Sequence, residues 1–190
     1  METSPMKRLD PKRSALLIVD VQVKLAAAMK KETIDRLVGN ACVLLEAARL
    51  LAIPVIVSEQ YPKGLGPTVE PIAERLRSMH IDPIDKTTFD ASAEPRVARR
   101  LVELSPQAVV VAGLESHVCV FQTVREIVRR GIEAHVVADA VASRSDENRL
   151  LGMALCERVG GFATPTETVV FDWLERAGTE EFKALSKLLR

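Results

Sequence analysis

An acid, an amine and a thiol stand where short apolar runs of this sequence end. Asp20 closes the run 15–20, Lys86 follows Ile84 and Asp85, and Cys119 comes just after the run 108–114. A thiol that gives up its proton is a nucleophile, a carboxylate beside it is a base and then an acid, and a cation steadies both charges. Each residue also has a plainer use: Cys119 as a small buried hydrophobe, Asp20 as a turn or helix cap, Lys86 as a solvated surface charge. Position leaves both readings of Cys119 open. It falls on the expected first turn of a helix directly after a strand, where free N–H groups and the helix dipole favour a thiolate and can hold an oxyanion. His117 is the second choice for a base, because residues two apart on a helix do not face each other. Cys42 and Cys156 lie among Leu and Ala at helical spacing and read as packing.

Such residues must be brought together by the elements that carry them. Short β-branched runs alternate with stretches of 3.6 periodicity, the pattern of βαβ units. Strands are expected over 15–20, 54–58, 82–85, 108–114, 133–140 and 161–163. Helices are expected from 33, with Thr33 as cap, to 48, and over 68–79, 94–104, 118–130, 147–159 and 179–190. Gly131 supplies a left-handed cap, and Thr164-Pro165-Thr166-Glu167 reads as a capping box with Pro at the first helical position. Residues 59–67, with two prolines and two glycines, are expected to form an irregular loop. The fold class is therefore α/β: three layers, α/β/α, around a six-stranded, mostly parallel, Rossmann-like sheet. In such a sheet a site lies beyond the carboxyl ends of the strands, where Asp20, Glu59, Lys86, residues 115–119 and Asp139 fall.

Composition narrows the classes. The chain has 190 residues, 47% of them hydrophobic and 27% charged, with 26 basic against 26 acidic side chains. Balanced charge gives no reason to expect nucleic acid or an anionic membrane as partner, and no apolar run approaches the roughly 20 residues of a membrane span. Three cysteines are too few for a disulfide framework, so free thiols and a cytoplasmic location are expected. Lys7, Arg8, Lys12 and Arg13 leave an organelle leader open, and no secretory h-region precedes them. Residues 1–13 read as an extension and 14–190 as one domain. No dinucleotide or phosphate-loop motif occurs, and the scattered His80, His117 and His135 do not make a metal site. No cofactor is expected.

Three runs then carry a resemblance: Leu16-Leu17-Ile18-Val19-Asp20-Val21-Gln22, Asp85-Lys86-Thr87-Thr88-Phe89, and Val111-Ala112-Gly113-Leu114-Glu115-Ser116-His117-Val118-Cys119-Val120. In order and separation they resemble the motifs of the isochorismatase-like cysteine hydrolases, over about residues 14–174. The run Ser58-Glu59-Gln60-Tyr61-Pro62-Lys63-Gly64 resembles the isochorismatase domain-containing branch. The resemblance implies a catalytic triad of Asp20, Lys86 and Cys119, and a cis peptide at Leu114-Glu115 that places the N–H of Glu115 beside that of Cys119 as an oxyanion hole. Gln22, Glu59, Tyr61, Phe89 and His117 are expected around the substrate pocket. Nicotinamidase-type members carry an Asp and two His after the second strand for a metal; Glu59-Gln60-Tyr61 stands there instead. The expectation is covalent hydrolysis of a small amide or related C–N bond. Its alternatives are isochorismatase-type vinyl-ether hydrolysis with Asp20 as acid, and a catalytically silent binding protein. The resemblance also implies a homo-oligomer, with Trp173 and Phe182 packing against either a partner or their own domain.

Overall fold

A computed structural model of the chain describes residues 6–189. Of the N-terminal extension, residues 1–5 lie outside the described residues, as does Arg190. The strands are β1 (Ser14–Val19), β2 (Val55–Gln60), β3 (Ile84–Lys86), β4 (Ala108–Leu114), β5 (Glu133–Ala142) and β6 (Phe162–Thr164). All pairings are parallel and the order is β3-β2-β1-β4-β5-β6. The order reverses at β1, so Asp20, one residue past its end, stands at the switch point where such sheets place their ligands.

The helices are α1 (Val23–Ala27), α2 (Lys31–Leu50), α3 (Pro62–Leu65), α4 (Glu70–Ser78), α5 (Pro95–Leu104), α6 (Phe121–Arg129), α7 (Asp146–Arg158), α8 (Thr166–Leu174) and α9 (Glu180–Leu185). Alternation along the strands divides the core between two faces. Leu16 and Ile18 of β1 and Val110 and Ala112 of β4 pack with α2, α4, α8 and α9; Leu17, Val19, Val109 and Val111 pack with α5, α6 and α7. A strand covered on both faces reads as a continuous apolar run, and every residue of β1 and β4 is buried.

Several elements differ from the sequence expectation. Helix α2 starts at Lys31 with Lys30 as cap, so Thr33 lies inside it. Strand β2 continues through Glu59 and Gln60, and α3 forms within the expected loop because Pro62 occupies a first-turn position, where its missing N–H costs nothing. Helix α8 begins after Pro165, and its free N–H groups are capped from a neighbouring strand: Asp139 Oδ1 accepts from the Thr166 N–H at 2.9 Å and its hydroxyl at 2.8 Å. Trp173 and Phe182 pack on their own domain. Trp173 is 2% exposed, and its Nε1 donates to Ser14 Oγ at 3.1 Å. The extension is tied down too, since Leu9 is buried and its N–H donates to Asp172 at 3.1 Å. Among the described residues no helix is long and apolar enough to cross a membrane.

Candidate active site

Asp20 leaves β1 with φ at +52°, a left-handed conformation that Asp tolerates better than most residues. The turn is fixed on both sides: the Asp20 N–H donates to the Ser58 carbonyl and its own carbonyl accepts from the Gln22 N–H. Opposite stands Gly113 of β4, at φ +132°. A Cβ there would lie 2.0 Å from the Val19 carbonyl oxygen, so only glycine lets the two strands approach here.

The side chain of Lys86, the last residue of β3, runs under this turn. Its Nζ donates to Asp20 Oδ2 at 2.6 Å and to Gln60 Oε1 at 2.6 Å, with the carbonyls of Thr88 at 3.1 Å and Phe89 at 3.4 Å beyond. Both side chains of the ion pair are 0% exposed. The other carboxylate oxygen, Asp20 Oδ1, accepts from Ser58 Oγ at 2.7 Å. Burial pushes the Asp20 carboxyl up from its ordinary value, against the Lys86 charge and the hydrogen bonds from Lys86, Ser58 and Cys119, which pull it down.

Cys119 sits in a wide π-type turn, Ser116–Val120, and α6 proper starts only at Phe121. Such turns are rare and occur often at functional sites. The turn is bolted to its surroundings: Thr123 Oγ1 donates to the Cys119 carbonyl at 2.7 Å and accepts from the Ala91 N–H at 2.9 Å. On its other side α7 comes so close that a Cβ at Gly152 would lie 2.6 Å from the His117 nitrogen. The peptide Leu114-Glu115 is cis. Cys119 is 6% exposed and near enough to Asp20 for each to act on the other's proton. Burial first, and then the Asp20 carboxylate, push the thiol up to about 12, while Lys86 and the Glu115 N–H pull it down. Burial thus opposes the pull that the free N–H groups of the turn exert toward a thiolate.

The five residues expected around the pocket divide. Tyr61 is half exposed and lines a cavity of about 310 Å³ with Pro62, Lys63, Asp85, Lys86, Thr87 and Glu94. Phe89 is 54% exposed, next to the carbonyls that receive Lys86. His117 is half-buried, with Nδ1 3.0 Å from Ser143 Oγ, and no contact joins it to Cys119. Gln22 and Glu59 instead anchor the backbone. Gln22 Nε2 donates to the carbonyls of Gln60 and Gly66, and its Oε1 accepts from the Gln60 N–H. Glu59 Oε1 accepts the N–H and hydroxyl of Thr68, both at 2.6 Å. The Glu115 side chain is engaged by Arg144, at 2.8 Å from Nε. Sequence reasoning missed Ser58, Gln60 and Thr123. The available signal for the first two was a polar run, Ser58-Glu59-Gln60, closing an otherwise apolar strand, and it was hidden by ending β2 at Ser58. Cys42 and Cys156 lie in α2 and α7 in the two cores, with burial raising both thiols.

An all-parallel α/β sheet with an acid, an amine and a thiol joined at the switch point defines the isochorismatase-like class of hydrolase folds. Comparison with known proteins agrees, for the Isochorismatase domain matches residues 14–168. The chain belongs to this family. It is 39% identical over 183 residues to isochorismatase domain-containing protein 2 of Danio rerio, covering 96% of this chain and 89% of that protein. Among solved structures it is similar to one from Caenorhabditis elegans described as MAR1 ribonuclease, with a TM-score of 0.87, 37% identity, and 96% and 92% of the two chains covered. The YcaC gene product of Escherichia coli shares the fold with a TM-score of 0.87 at 19% identity, over 98% of this chain and 92% of that one; it is described as an octameric hydrolase of unknown specificity.

Proposed function

We propose that the protein hydrolyses a small amide or related C–N bond through a thioester on Cys119. The observation that carries this reading is the buried ion pair of Lys86 and Asp20 at 2.6 Å, set beside the nearly buried Cys119 whose thiol it acts on. A thiol pushed up to about 12 needs a base, and the carboxyl group that acts on it is that of Asp20. In the first half-reaction Asp20 takes the proton as sulfur bonds to the carbonyl carbon. The oxyanion is received by the backbone N–H groups of Glu115 and Cys119. The C–N bond then breaks, and the amine leaves with the proton that Asp20 held. In the second half, Asp20 removes a proton from water, hydroxide attacks the thioester, the C–S bond breaks, and the proton returns to sulfur. Tyr61 and Phe89 form the rim that receives the substrate.

The ribonuclease description of the C. elegans relative supports a second reading, phosphodiester cleavage. One experiment separates them. Small amides, carbamoyl compounds, vinyl ethers and a short RNA are incubated with the protein, and intact-mass spectrometry is run on the quenched reactions. An acyl adduct on Cys119, absent in Cys119→Ala, supports amide chemistry. Turnover of RNA or a vinyl ether with no adduct, or turnover retained in Cys119→Ala, overturns it. We also propose a homo-oligomer, supported by the octameric E. coli relative and by the exposed Leu150 and Leu151 on α7. Light scattering that finds a monomer at micromolar concentration refutes it.

A further inference from the structure

Two side chains of β2 touch the acid and the amine without reaching the reacting sulfur. Ser58 and Gln60 are two apart on one strand and so project to the same face of the sheet. Ser58 is 0% exposed and Gln60 9%, and each contacts a different member of the ion pair: Ser58 Oγ lies 2.7 Å from Asp20 Oδ1, and Gln60 Oε1 lies 2.6 Å from Lys86 Nζ. Gln60 is itself immobilised. Its N–H donates to Gln22 Oε1 at 2.8 Å and its Nε2 to the Thr87 carbonyl at 2.9 Å. Gln22 in turn is held by the carbonyls of Gln60 and Gly66.

An ammonium has three hydrogens to give. Asp20 and Gln60 take two at 2.6 Å, and the carbonyls of Thr88 and Phe89 compete for the third. None is left for a substrate. Lys86 thus acts through its charge on Asp20, and the direction in which that charge is aimed is set by Gln60. The carboxylate has one oxygen on Lys86 and the other on Ser58, so its plane is held from both sides.

We propose that Ser58 and Gln60 are positioning residues of the proton-accepting pair: Ser58 fixes the rotation of the Asp20 carboxylate, and Gln60 locks the Lys86 ammonium onto it. The proposal rests on the reading of Asp20 as the base for Cys119. It gives β2, which contributes no reacting atom, control over the pH range in which the thiol can be activated. Loss of either contact makes the charged carboxylate less stable, and Asp20 then holds its own proton to higher pH and accepts the thiol proton only above it.

The test needs no substrate. Iodoacetamide is applied across a pH series to wild type, Ser58→Ala, Ser58→Thr, Gln60→Met and Asp20→Asn, and alkylation of the Cys119 peptide is followed by mass spectrometry; thermal melts select a temperature at which every variant is folded. In wild type the rate falls on the acid side as Asp20 takes up a proton. In Ser58→Ala and Gln60→Met this inflection moves upward by about one pH unit, the effect of one lost hydrogen bond to a charged group. Ser58→Thr, which keeps the hydroxyl, retains the wild-type inflection. An unmoved inflection with a rate lowered equally at every pH is the mark of a merely structural residue, and overturns the assignment for whichever of Ser58 or Gln60 gives it. Asp20→Asn keeps the two levels of argument apart. If it abolishes the inflection while Ser58→Ala and Gln60→Met leave theirs in place, the positioning proposal alone fails; if it reproduces the wild-type profile, the base assignment fails and the proposal with it.

Discussion

Replacing Lys86 by Met keeps the volume of the side chain and removes its charge from beneath Asp20. The carboxylate then loses its 2.6 Å partner and keeps the Ser58 hydroxyl at 2.7 Å, at a position with 0% side-chain exposure. Breaking one partner of a buried pair costs about 3–5 kcal/mol because a charge is left behind uncompensated, a large fraction of the roughly 5–15 kcal/mol that holds an ordinary domain together. The orphaned Gln60 Oε1 adds a part that does not depend on pH. The charge part does. Burial already raises the Asp20 carboxyl, and without Lys86 it rises further. The native state of the variant then holds a proton that the unfolded chain has released, so its stability falls as pH rises from the ordinary Asp value through the raised one. Urea unfolding of both proteins at about pH 5 and about pH 8 reads this directly. The expected deficit is about 3–5 kcal/mol at the higher pH and smaller at the lower. Adding Asp20→Asn to Lys86→Met removes the stranded charge and recovers most of the pH-dependent loss. A deficit below about 1 kcal/mol at pH 8 would mean the pair is as well solvated as a surface bridge, and an equal deficit at both pH values would mean that Asp20 carries none of it.

Three further outcomes are expected. Gly113→Ala drives a Cβ into the Val19 carbonyl at a positive φ, and backbone strain plus overpacking of about 1–3 kcal/mol each should lower the urea midpoint markedly; a midpoint within error of wild type refutes the close approach. His135 is 0% exposed with neither ring nitrogen in a hydrogen bond and Glu133 Oε2 3.8 Å from Nε2, and burial lowers its proton affinity against the pull of Glu133 and Asp172. The unfolded chain therefore binds more protons below about pH 6.5, and stability falls there as pH falls; His135→Leu should flatten that part of a melting-temperature profile, and an unchanged slope counts against it. Glu59→Ala frees two hydrogen bonds of Thr68, at a cost of about 2–4 kcal/mol, with hydrogen exchange rising first over residues 61–69; protection there equal to wild type refutes the anchoring role.

How much of this could be read from the sequence follows from which forces act locally. Strand β4 agrees to the residue with its seven apolar positions, because a strand buried on both faces must be apolar throughout. Strand β2 ran longer than expected because Glu59 and Gln60 are polar yet buried, held by tertiary partners that no periodicity records, whereas β5 gains the apolar Val141 and Ala142 by pairing with Gly113 and Leu114 beyond a register shift. The same holds for the capping of α8 by Asp139, 27 positions earlier in the chain. At the site, residue types and strand ends pointed to Asp20, Lys86 and Cys119, and the structure pairs the first two at 2.6 Å; how deeply Cys119 is buried was not legible, because it depends on what α5, α6 and α7 lay over the turn.

The central position of β1 has a consequence for synthesis. Its six buried residues lie between β2 and β4, and Ser14 pairs with Ala108, about ninety positions later in the chain. At ~5–20 residues per second, a nascent chain carries one open, largely apolar strand edge for roughly 5–20 seconds before its neighbour leaves the ribosome. During that interval the segment offers unpaired backbone to any other strand it meets. A ribosome pausing before residue 108 would thus hand chaperones or aggregates a fragment whose most insoluble strand is already made.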